Sequence, residues 1–377
     1  MSVLQSSLAL NRPQKLSLAC TPTPLRHLKH VSSRLGGKNL WLKCDDLTGG
    51  LISGNKVRKL EYLLFDALQQ GANTVVTCGG LQSNHCRATA VLCAQLGLHC
   101  HLVLRADHPF DEEEEERGAD YLSELTGNLL ISELCGATIS IFSPSYYQRN
   151  LNTILADVAQ RYSGAQATEE AGKDGVDMGG VAINGMGKAA YIIPTGGSNS
   201  LGLWGYIDAY DELIEQCQQQ EFSPDAIVCA SGSGGTQGGL TLAASVSQDV
   251  KVYGFAVCDS APYFQRKIQQ DVASWQASYG IGSEIDLVGA LQIRTNDSYI
   301  GPGYGKGYDA LFTCIAEVAR LDGVVLDPVY TGKAFYGMLE EIKHGELQDC
   351  DNIVFLHTGG IYGIFPFAQN LSHVYSE

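Results

Sequence analysis

One lysine in this sequence stands where its neighbours could tune and position its amine. Lys56 lies in residues 54–59 (GNKVRK), at the predicted junction between a loop and a helix. A helix N-terminus presents unpaired backbone N–H groups and positive potential, which lower the pKa of an amine and favour Schiff-base chemistry. A lysine in such a place can equally be a surface residue, so Lys56 alone does not establish a site.

A glycine-rich turn follows a predicted strand farther along the chain. Residues 229–239 read CASGSGGTQGG and lead into a predicted helix. Glycines let the backbone approach an anion closely, hydroxyl groups add donors, and the helix N-terminus faces the same space. The turn lacks the lysine of a Walker motif and the spacing of a dinucleotide-binding motif. A phosphate-binding loop is one interpretation, and a tight strand-to-helix turn is the other.

Three further segments place polar side chains at the ends of predicted strands. They are residues 79–85 (GGLQSNH), 327–333 (DPVYTGK) and 357–360 (HTGG). Ligands bind beyond the carboxyl ends of strands in open α/β sheets, but Ser83 and Thr331 could instead cap the helices that follow them. A phosphate-binding loop, a Schiff-base lysine and several hydroxyls would together suit pyridoxal phosphate, which combines a phosphate, an aldehyde and a ring nitrogen.

The elements that must position these residues alternate along the chain. Short apolar segments and helical patterns follow one another, which predicts an α/β protein built on parallel sheets. Strands are expected at 39–43, 74–78, 99–104, 138–142, 191–193, 226–230, 252–257 and 353–356. Helices are expected at 56–70, 82–96, 121–135, 147–162, 201–219, from 236 onward and at 333–344.

Composition narrows the class of protein. A chain of 377 residues with 45% hydrophobic and 18% charged residues can bury sizeable cores, and two closely associated domains are expected. The net charge of −16 argues against nucleic acid or anionic membranes as partners. Without a signal peptide or a membrane span in the sequence, a cytoplasmic protein is expected. The 12 cysteines lie in apolar segments without a Cys-x-x-Cys motif, so we expect reduced core thiols and no metal site.

The series of motifs resembles the 1-aminocyclopropane-1-carboxylate (ACC) deaminase and D-cysteine desulfhydrase family of pyridoxal-phosphate enzymes. The resemblance covers residues 40–96 and 194–360, and its specific markers are KCDDLT, GNKVRKLE, QSNH and DPVYTGK. It implies the tryptophan synthase β-like fold (fold type II), an α/β fold of two open, mostly parallel twisted sheets with flanking helices, and it implies a homodimer. The large domain would comprise residues 1–58 and 164–377, with a glycine-rich insertion at 164–190, and the small domain residues 59–163.

The resemblance also implies roles for individual residues. Lys56 would bind pyridoxal phosphate covalently, whereas Lys59 would be structural or contribute to the electrostatics. Ser83 would contact the substrate carboxylate or assist proton transfer, and Asn84 would contact the cofactor ring. The phosphate loop is matched by Ser233, Gly234, Gly235 and Thr236, and the position near the ring nitrogen by Thr358. The two active-site tyrosines are matched by Tyr304 and Tyr330.

Two positions distinguish the reactions within this family. Ring-opening deaminases carry glutamate where this chain has Thr331 and usually leucine where it has Thr358, and the desulfhydrase branch resembles this chain at both positions and at His85. We therefore expect β-elimination from D-cysteine, or a close β-substituted amino acid, giving pyruvate, ammonia and sulfide. The alternatives are ACC deamination to 2-oxobutyrate and ammonia, elimination from cysteate or serine, and a non-catalytic protein that binds pyridoxal phosphate.

Overall fold

The computed structural model describes residues 12–107, 125–163, 189–247, 250–279 and 286–374. The chain divides into two compact units: a large unit, Met1–Tyr62 with Gly196–Glu377, and a small unit, Leu63–Thr195. The sequence analysis placed these divisions after residues 58 and 163. The second division lies later in the structure because a strand that begins at residue 189 pairs within the small unit. The glycine-rich insertion, apart from its last two residues, lies outside the described residues.

The strands are short and most of them are buried. In chain order they are β1 (Leu25–His27), β2 (Asn39–Lys43), β3 (Ala72–Gly80), β4 (His99–Arg105), β5 (Thr138–Phe142), β6 (Ala189–Ile192), β7 (Ala226–Ser231), β8 (Lys251–Ala256), β9 (Arg294–Asn296) and β10 (Asn352–Leu356). Within the described residues, the large unit has a six-stranded sheet in the order β1-β2-β10-β7-β8-β9, and the small unit a four-stranded sheet in the order β5-β4-β3-β6. Every pairing is parallel except that of β1 with β2.

Most of the helices connect parallel strands of one sheet. In chain order the helices are α1 (Lys29–Ser32), α2 (Lys56–Gln69), α3 (Asn84–Leu96), α4 (Gly127–Leu134), α5 (Pro144–Ser163), α6 (Trp204–Gln219), α7 (Gly235–Ser247), α8 (Ala261–Tyr279), α9 (Leu287–Ala290), α10 (Asp309–Asp322), α11 (Thr331–His344) and α12 (Ala368–His373). The structure therefore has the predicted α/β architecture of two open, mostly parallel sheets. Helix α4 begins at Gly127 rather than at residue 121, and residues 121–124 lie outside the described residues.

Two apolar clusters cover the two faces of the large sheet. One contains Trp204 and Trp275, and the other contains Phe335 and Phe355. All residues of β7 are buried, so the strand that precedes the glycine-rich turn is fixed on both faces. The twelve cysteines are free thiols and most of them are buried, as expected.

The described residues also restrict two other classes of feature. Among them, no helix is both long and apolar enough to cross a membrane. In the same ranges, no group of three or more His, Cys, Asp or Glu side chains has the arrangement of a metal site.

Candidate active site

The loop before α2 is held against the end of β10. Gly54 has φ +115°, and a Cβ atom there would lie 2.7 Å from the carbonyl oxygen of Thr358. The next residue, Asn55, donates its backbone N–H to the same oxygen at 3.1 Å. Only glycine fits this close approach with a left-handed backbone. Lys56 therefore starts α2 at the junction that the sequence predicts, and its side chain is half-buried.

The ε-amine of Lys56 and the glycine-rich turn border the same residue, Gly196. An ideal Cβ atom at Gly196 would lie 2.3 Å from Ser233 Oγ and 3.2 Å from Lys56 Nζ. Ser198 joins this group, because its Oγ lies 2.8 Å from Ser233 Oγ and accepts the backbone N–H of Gly235 at 3.2 Å. Two regions more than 170 positions apart in the sequence thus meet around one glycine.

The turn at residues 233–236 has the shape of an anion cradle. Gly234 has φ +82°, and Gly235 begins helix α7. A Cβ atom at Gly235 would lie 2.5 Å from Ser198 Oγ and 2.8 Å from Lys59 Nζ, so a larger residue would fill the cradle. Thr236 is buried and accepts a hydrogen bond from Asn55 Nδ2 at 2.9 Å, which ties the cradle to the residue before Lys56. Backbone N–H groups at a helix start bind phosphate well.

Lys59 places a second amine beneath the cradle. Its side chain is fully buried, and Nζ donates to the carbonyl of Gly196 at 3.3 Å and to Ser198 Oγ at 3.2 Å. Burial, with the nearby charge of Lys56, lowers the pKa of Lys59 well below its ordinary value. A bound anion would offset the cost of burying a charged amine here. The residues present thus fit the phosphate of pyridoxal phosphate.

The predicted tyrosines lie together beside the glycine-rich turn. Tyr304 and Tyr330 share a hydrogen bond of 2.5 Å between their hydroxyls. The Tyr330 ring would be 3.0 Å from a Cβ atom at Gly232, so it packs against the turn itself. Burial, then the neighbouring Tyr304, raises the pKa of Tyr330 well above its ordinary value. Tyr330 therefore keeps its proton at neutral pH.

The Thr331 hydroxyl hydrogen-bonds to Asp327, and Thr331 is not the N-cap of α11, which is Tyr330. The buried Asp327 carboxylate accepts the backbone N–H groups of Val329, Tyr330 and Thr331 at 2.8–2.9 Å. It also accepts the Thr331 hydroxyl at 2.7 Å. The carboxylate thus satisfies the N–H groups at the start of the helix, and Tyr330 is held in place through its backbone.

Thr358 lies two residues after the end of β10 and carries a hydroxyl group. It is only 6% exposed, and no group of the described residues hydrogen-bonds to its Oγ1. His357 fixes this strand end: Nδ1 accepts the N–H of Gly359 at 3.2 Å, so Nε2 donates to the carbonyl of Val325 at 3.1 Å. A ligand that offers a ring nitrogen would supply the missing partner of Thr358.

Ser83 and Asn84 lie in the small unit, at the start of α3. Ser83 is the N-cap, and its Oγ accepts the backbone N–H of Cys86 at 3.2 Å. Asn84 Oδ1 accepts a hydrogen bond from the buried Asn128 at 3.0 Å. The capping interpretation of Ser83 is therefore correct. The roles of Ser83 and Asn84 toward substrate and cofactor stay predictions.

The sequence analysis missed Ser198, which links Lys59 to the cradle. The segment 195–200 (TGGSNS) follows a strand, just as the recognised turns do, and this pattern was the available signal. Lys59 was recognised only as structural or electrostatic. The structure shows more than this, because the buried amine of Lys59 contacts Ser198, which in turn contacts the cradle.

Comparisons with known proteins identify the family of this chain. The family model described as pyridoxal-phosphate dependent enzyme matches residues 16–359. The bifunctional D-cysteine desulfhydrase/1-aminocyclopropane-1-carboxylate deaminase, mitochondrial, of Arabidopsis thaliana is 38% identical over 360 residues, which cover 94% of this chain and 80% of that protein. The D-cysteine desulfhydrase of Salmonella typhi is 35% identical over 359 residues, which cover 95% of this chain and 97% of that protein.

A solved structure gives the same result for the fold. The crystal structure of an ACC deaminase homologue matches with a TM-score of 0.78 and 32% identity, covering 99% of this chain and 100% of that chain. The expected fold type II and dependence on pyridoxal phosphate are thereby confirmed. The chain belongs to the family of pyridoxal-phosphate-dependent enzymes that contains the ACC deaminases and the D-cysteine desulfhydrases.

Proposed function

We propose that this enzyme is a carbon–sulfur lyase that eliminates the thiol of D-cysteine to give pyruvate, ammonia and sulfide. The observation that carries this proposal is the environment of the residue after Tyr330. It is a fully buried threonine whose hydroxyl binds Asp327. The resemblance implies a glutamate at this position in ring-opening deaminases, and this chain offers no carboxylate there. The 35% identity to the D-cysteine desulfhydrase of Salmonella typhi is compatible with this choice, and relatives at 38–39% identity are named for ACC deamination as well.

The large unit would hold pyridoxal phosphate at three places. Lys56 would bind its aldehyde, the cradle at 233–236 with Lys59 its phosphate, and Thr358 its ring nitrogen. When bound, the cofactor stabilises negative charge at the substrate Cα. Thr358 offers a neutral hydroxyl in place of a carboxylate, so it does not stabilise a positive charge on the ring nitrogen. That environment favours prompt loss of a leaving group from Cβ.

Two groups of this chain would move protons. The Lys56 amine would take the proton from the substrate Cα, because it borders the cradle that fixes the cofactor. The hydrogen-bonded Tyr304 and Tyr330 would return a proton to the departing sulfur. Because burial raises the pKa of Tyr330, this hydroxyl carries its proton at neutral pH.

A substrate panel tests the proposed reaction. With D-cysteine, L-cysteine, D-serine, cysteate and ACC, we expect D-cysteine to give the fastest turnover, with equal amounts of pyruvate and sulfide. Pyruvate and 2-oxobutyrate are separated by chromatography, and sulfide is measured by methylene blue formation. The 38% identical relative with both activities makes ACC the important comparison. Formation of 2-oxobutyrate from ACC alone would replace the proposed reaction by deamination. The expected homodimer and cytoplasmic location stay predictions.

Gly196→Ala is expected to weaken binding of pyridoxal phosphate. The new methyl group would meet Ser233 Oγ at 2.3 Å, on a backbone with φ +66°. Overpacking of this kind costs about 1–3 kcal/mol, so we expect roughly tenfold or more weaker binding. The measurement is an absorbance titration of the apoprotein with pyridoxal phosphate.

Gly36→Ala is the matched control for this variant. Gly36 has nearly the same φ, +64°, but no atom lies within 4 Å of its Cβ position. Both variants carry the same backbone strain, so only the contact with Ser233 and Lys56 differs. Equal cofactor affinity of the two variants would show that Gly196 does not border the cofactor.

A further inference from the structure

Helix α11 carries a buried lysine to which the proposed reaction assigns no part. Lys333 is fully buried, three positions after Tyr330. Its Nζ donates a hydrogen bond of 2.8 Å to the carbonyl oxygen of Gly303, the residue before Tyr304. Within the described residues, no carboxylate lies within ion-pair distance of this amine. Among the described residues, the Lys333 amine therefore hydrogen-bonds to a backbone carbonyl and not to a carboxylate.

This arrangement is costly for stability. A buried amine without a carboxylate partner loses its hydration, and an apolar residue of similar volume is often as stable or more stable at such a place. Burial lowers the pKa of Lys333 to about 8, although Asp327 and Cys258 act in the opposite direction. A lysine here thus contributes something other than packing.

The loop that receives this hydrogen bond needs an anchor. Residues 301–307 read GPGYGKG, and Gly301, Gly303 and Gly305 all have positive φ. Nothing lies within 4 Å of the Cβ positions of Gly303 and Gly305. Within the loop, the backbone N–H of Lys306 also donates to the Gly303 carbonyl, at 3.3 Å. Glycine loses more conformational entropy on ordering than other residues. The Tyr304 side chain packs against the apolar cluster of Phe335 and Phe355, so a hydrogen bond to the backbone beside it would order the glycine-rich part of the loop.

Helix α11 supplies two contacts to this loop. Tyr330, at the N-cap, hydrogen-bonds to the Tyr304 hydroxyl, and Lys333 hydrogen-bonds to the backbone one residue earlier. Residues three apart at a helix start lie on one face, so both contacts come from the same side. The two together fix both the side chain and the backbone of Tyr304.

We propose that Lys333 is a positioning residue that anchors the glycine-rich loop 301–307 and thereby holds Tyr304 against Tyr330. This inference rests on the proposed function for its effect on turnover, because Tyr304 acts there as part of the proton donor. The anchoring itself depends only on the contact between Lys333 and Gly303. The two can therefore be tested apart.

Lys333→Met in the holoenzyme tests the anchor. We expect amide hydrogen exchange of peptides that span 301–307 to become about tenfold faster, the effect expected for loss of a hydrogen bond from a charged donor. Lys343→Met is the matched control, since Lys343 is 53% exposed on the same helix and pairs with Glu340. Exchange that is unchanged in Lys333→Met would overturn the proposal. Lys333→Leu, whose side chain has no hydrogen-bond donor, replaces the methionine variant if that does not fold.

Turnover of D-cysteine tests whether the anchor acts through Tyr304. We expect Lys333→Met to lower kcat about tenfold with KM little changed, and to have almost no further effect in a Tyr304→Phe background. An equal loss of kcat in both backgrounds would contradict action through Tyr304. Faster exchange in Lys333→Met of an enzyme that turns over none of the substrates would leave the anchor standing and reject the proposed function.

Discussion

Lys56→Ala is expected to abolish turnover while the protein stays folded. The ε-amine of Lys56 borders Gly196 and the cradle, where it would bind the cofactor aldehyde and move the Cα proton. Loss of a general base alone costs about 10²- to 10⁴-fold in rate, and loss of covalent attachment adds to this. The half-buried side chain contributes little to the core, and alanine is the best helix former. The measurement is the initial rate of pyruvate formation, with circular dichroism as the check on folding.

Lys343→Ala provides the comparison for this variant. Lys343 lies at the end of α11 and is largely exposed, so its loss should leave the rate unchanged. A Lys56→Ala enzyme that keeps a rate within about tenfold of the unmodified enzyme is incompatible with the proposed role, because even general-base loss exceeds that.

Arg58→Met is expected to give the largest loss of stability. Arg58 and Asp45 are both buried and share two hydrogen bonds of 2.9 and 2.8 Å, and Arg58 also binds Glu212 at 3.0 and 2.9 Å. Burial alone would raise the pKa of Asp45, but the adjacent Arg58 outweighs it and the pKa is lowered. Removing the arginine leaves a buried carboxylate without its partner, which costs about 3–5 kcal/mol. Urea unfolding of the apoprotein measures the change.

Arg12→Met is the exposed counterpart. Arg12 pairs with Asp208 and Asp211 but is 41% exposed, so its loss should cost no more than about 1 kcal/mol.

The pH dependence of the free energy of unfolding separates the two variants further. Because the folded pKa of Asp45 lies below its unfolded value, its stabilising effect is present at neutral pH and is lost as the pH falls through the folded pKa. The difference between Arg58→Met and the unmodified protein should therefore shrink in acid. Equal stability of Arg58→Met and Arg12→Met at pH 7 would contradict this account.

Local patterns in the sequence were sufficient for most of the fold. β2 and β5 have the predicted bounds, because apolar segments between polar turns mark buried strands clearly. β9 was missed, because its three residues, Arg294–Asn296, are polar and only partly buried at a sheet edge. Such a strand is defined by its pairing with β8 and not by its own composition.

Contacts between distant segments were harder to predict. Lys56 and the turn at 233–236 were recognised as motifs, but their meeting at Gly196 depends on the packing of the whole large unit. Ser198 and Ser233 are 35 positions apart, and no local pattern pairs them. Lys333 was noticed only as the end of DPVYTGK and as the first residue of a predicted helix, because burial of its amine against Gly303 follows from tertiary structure.

Covalent labelling tests the central claim most directly. The purified enzyme is reduced with sodium borohydride, digested, and its peptides are analysed by mass spectrometry. We predict a pyridoxyl group on Lys56 and on no other lysine. A pyridoxyl group on Lys59 or Lys333 instead, or a fully loaded enzyme with no labelled lysine, would contradict the account.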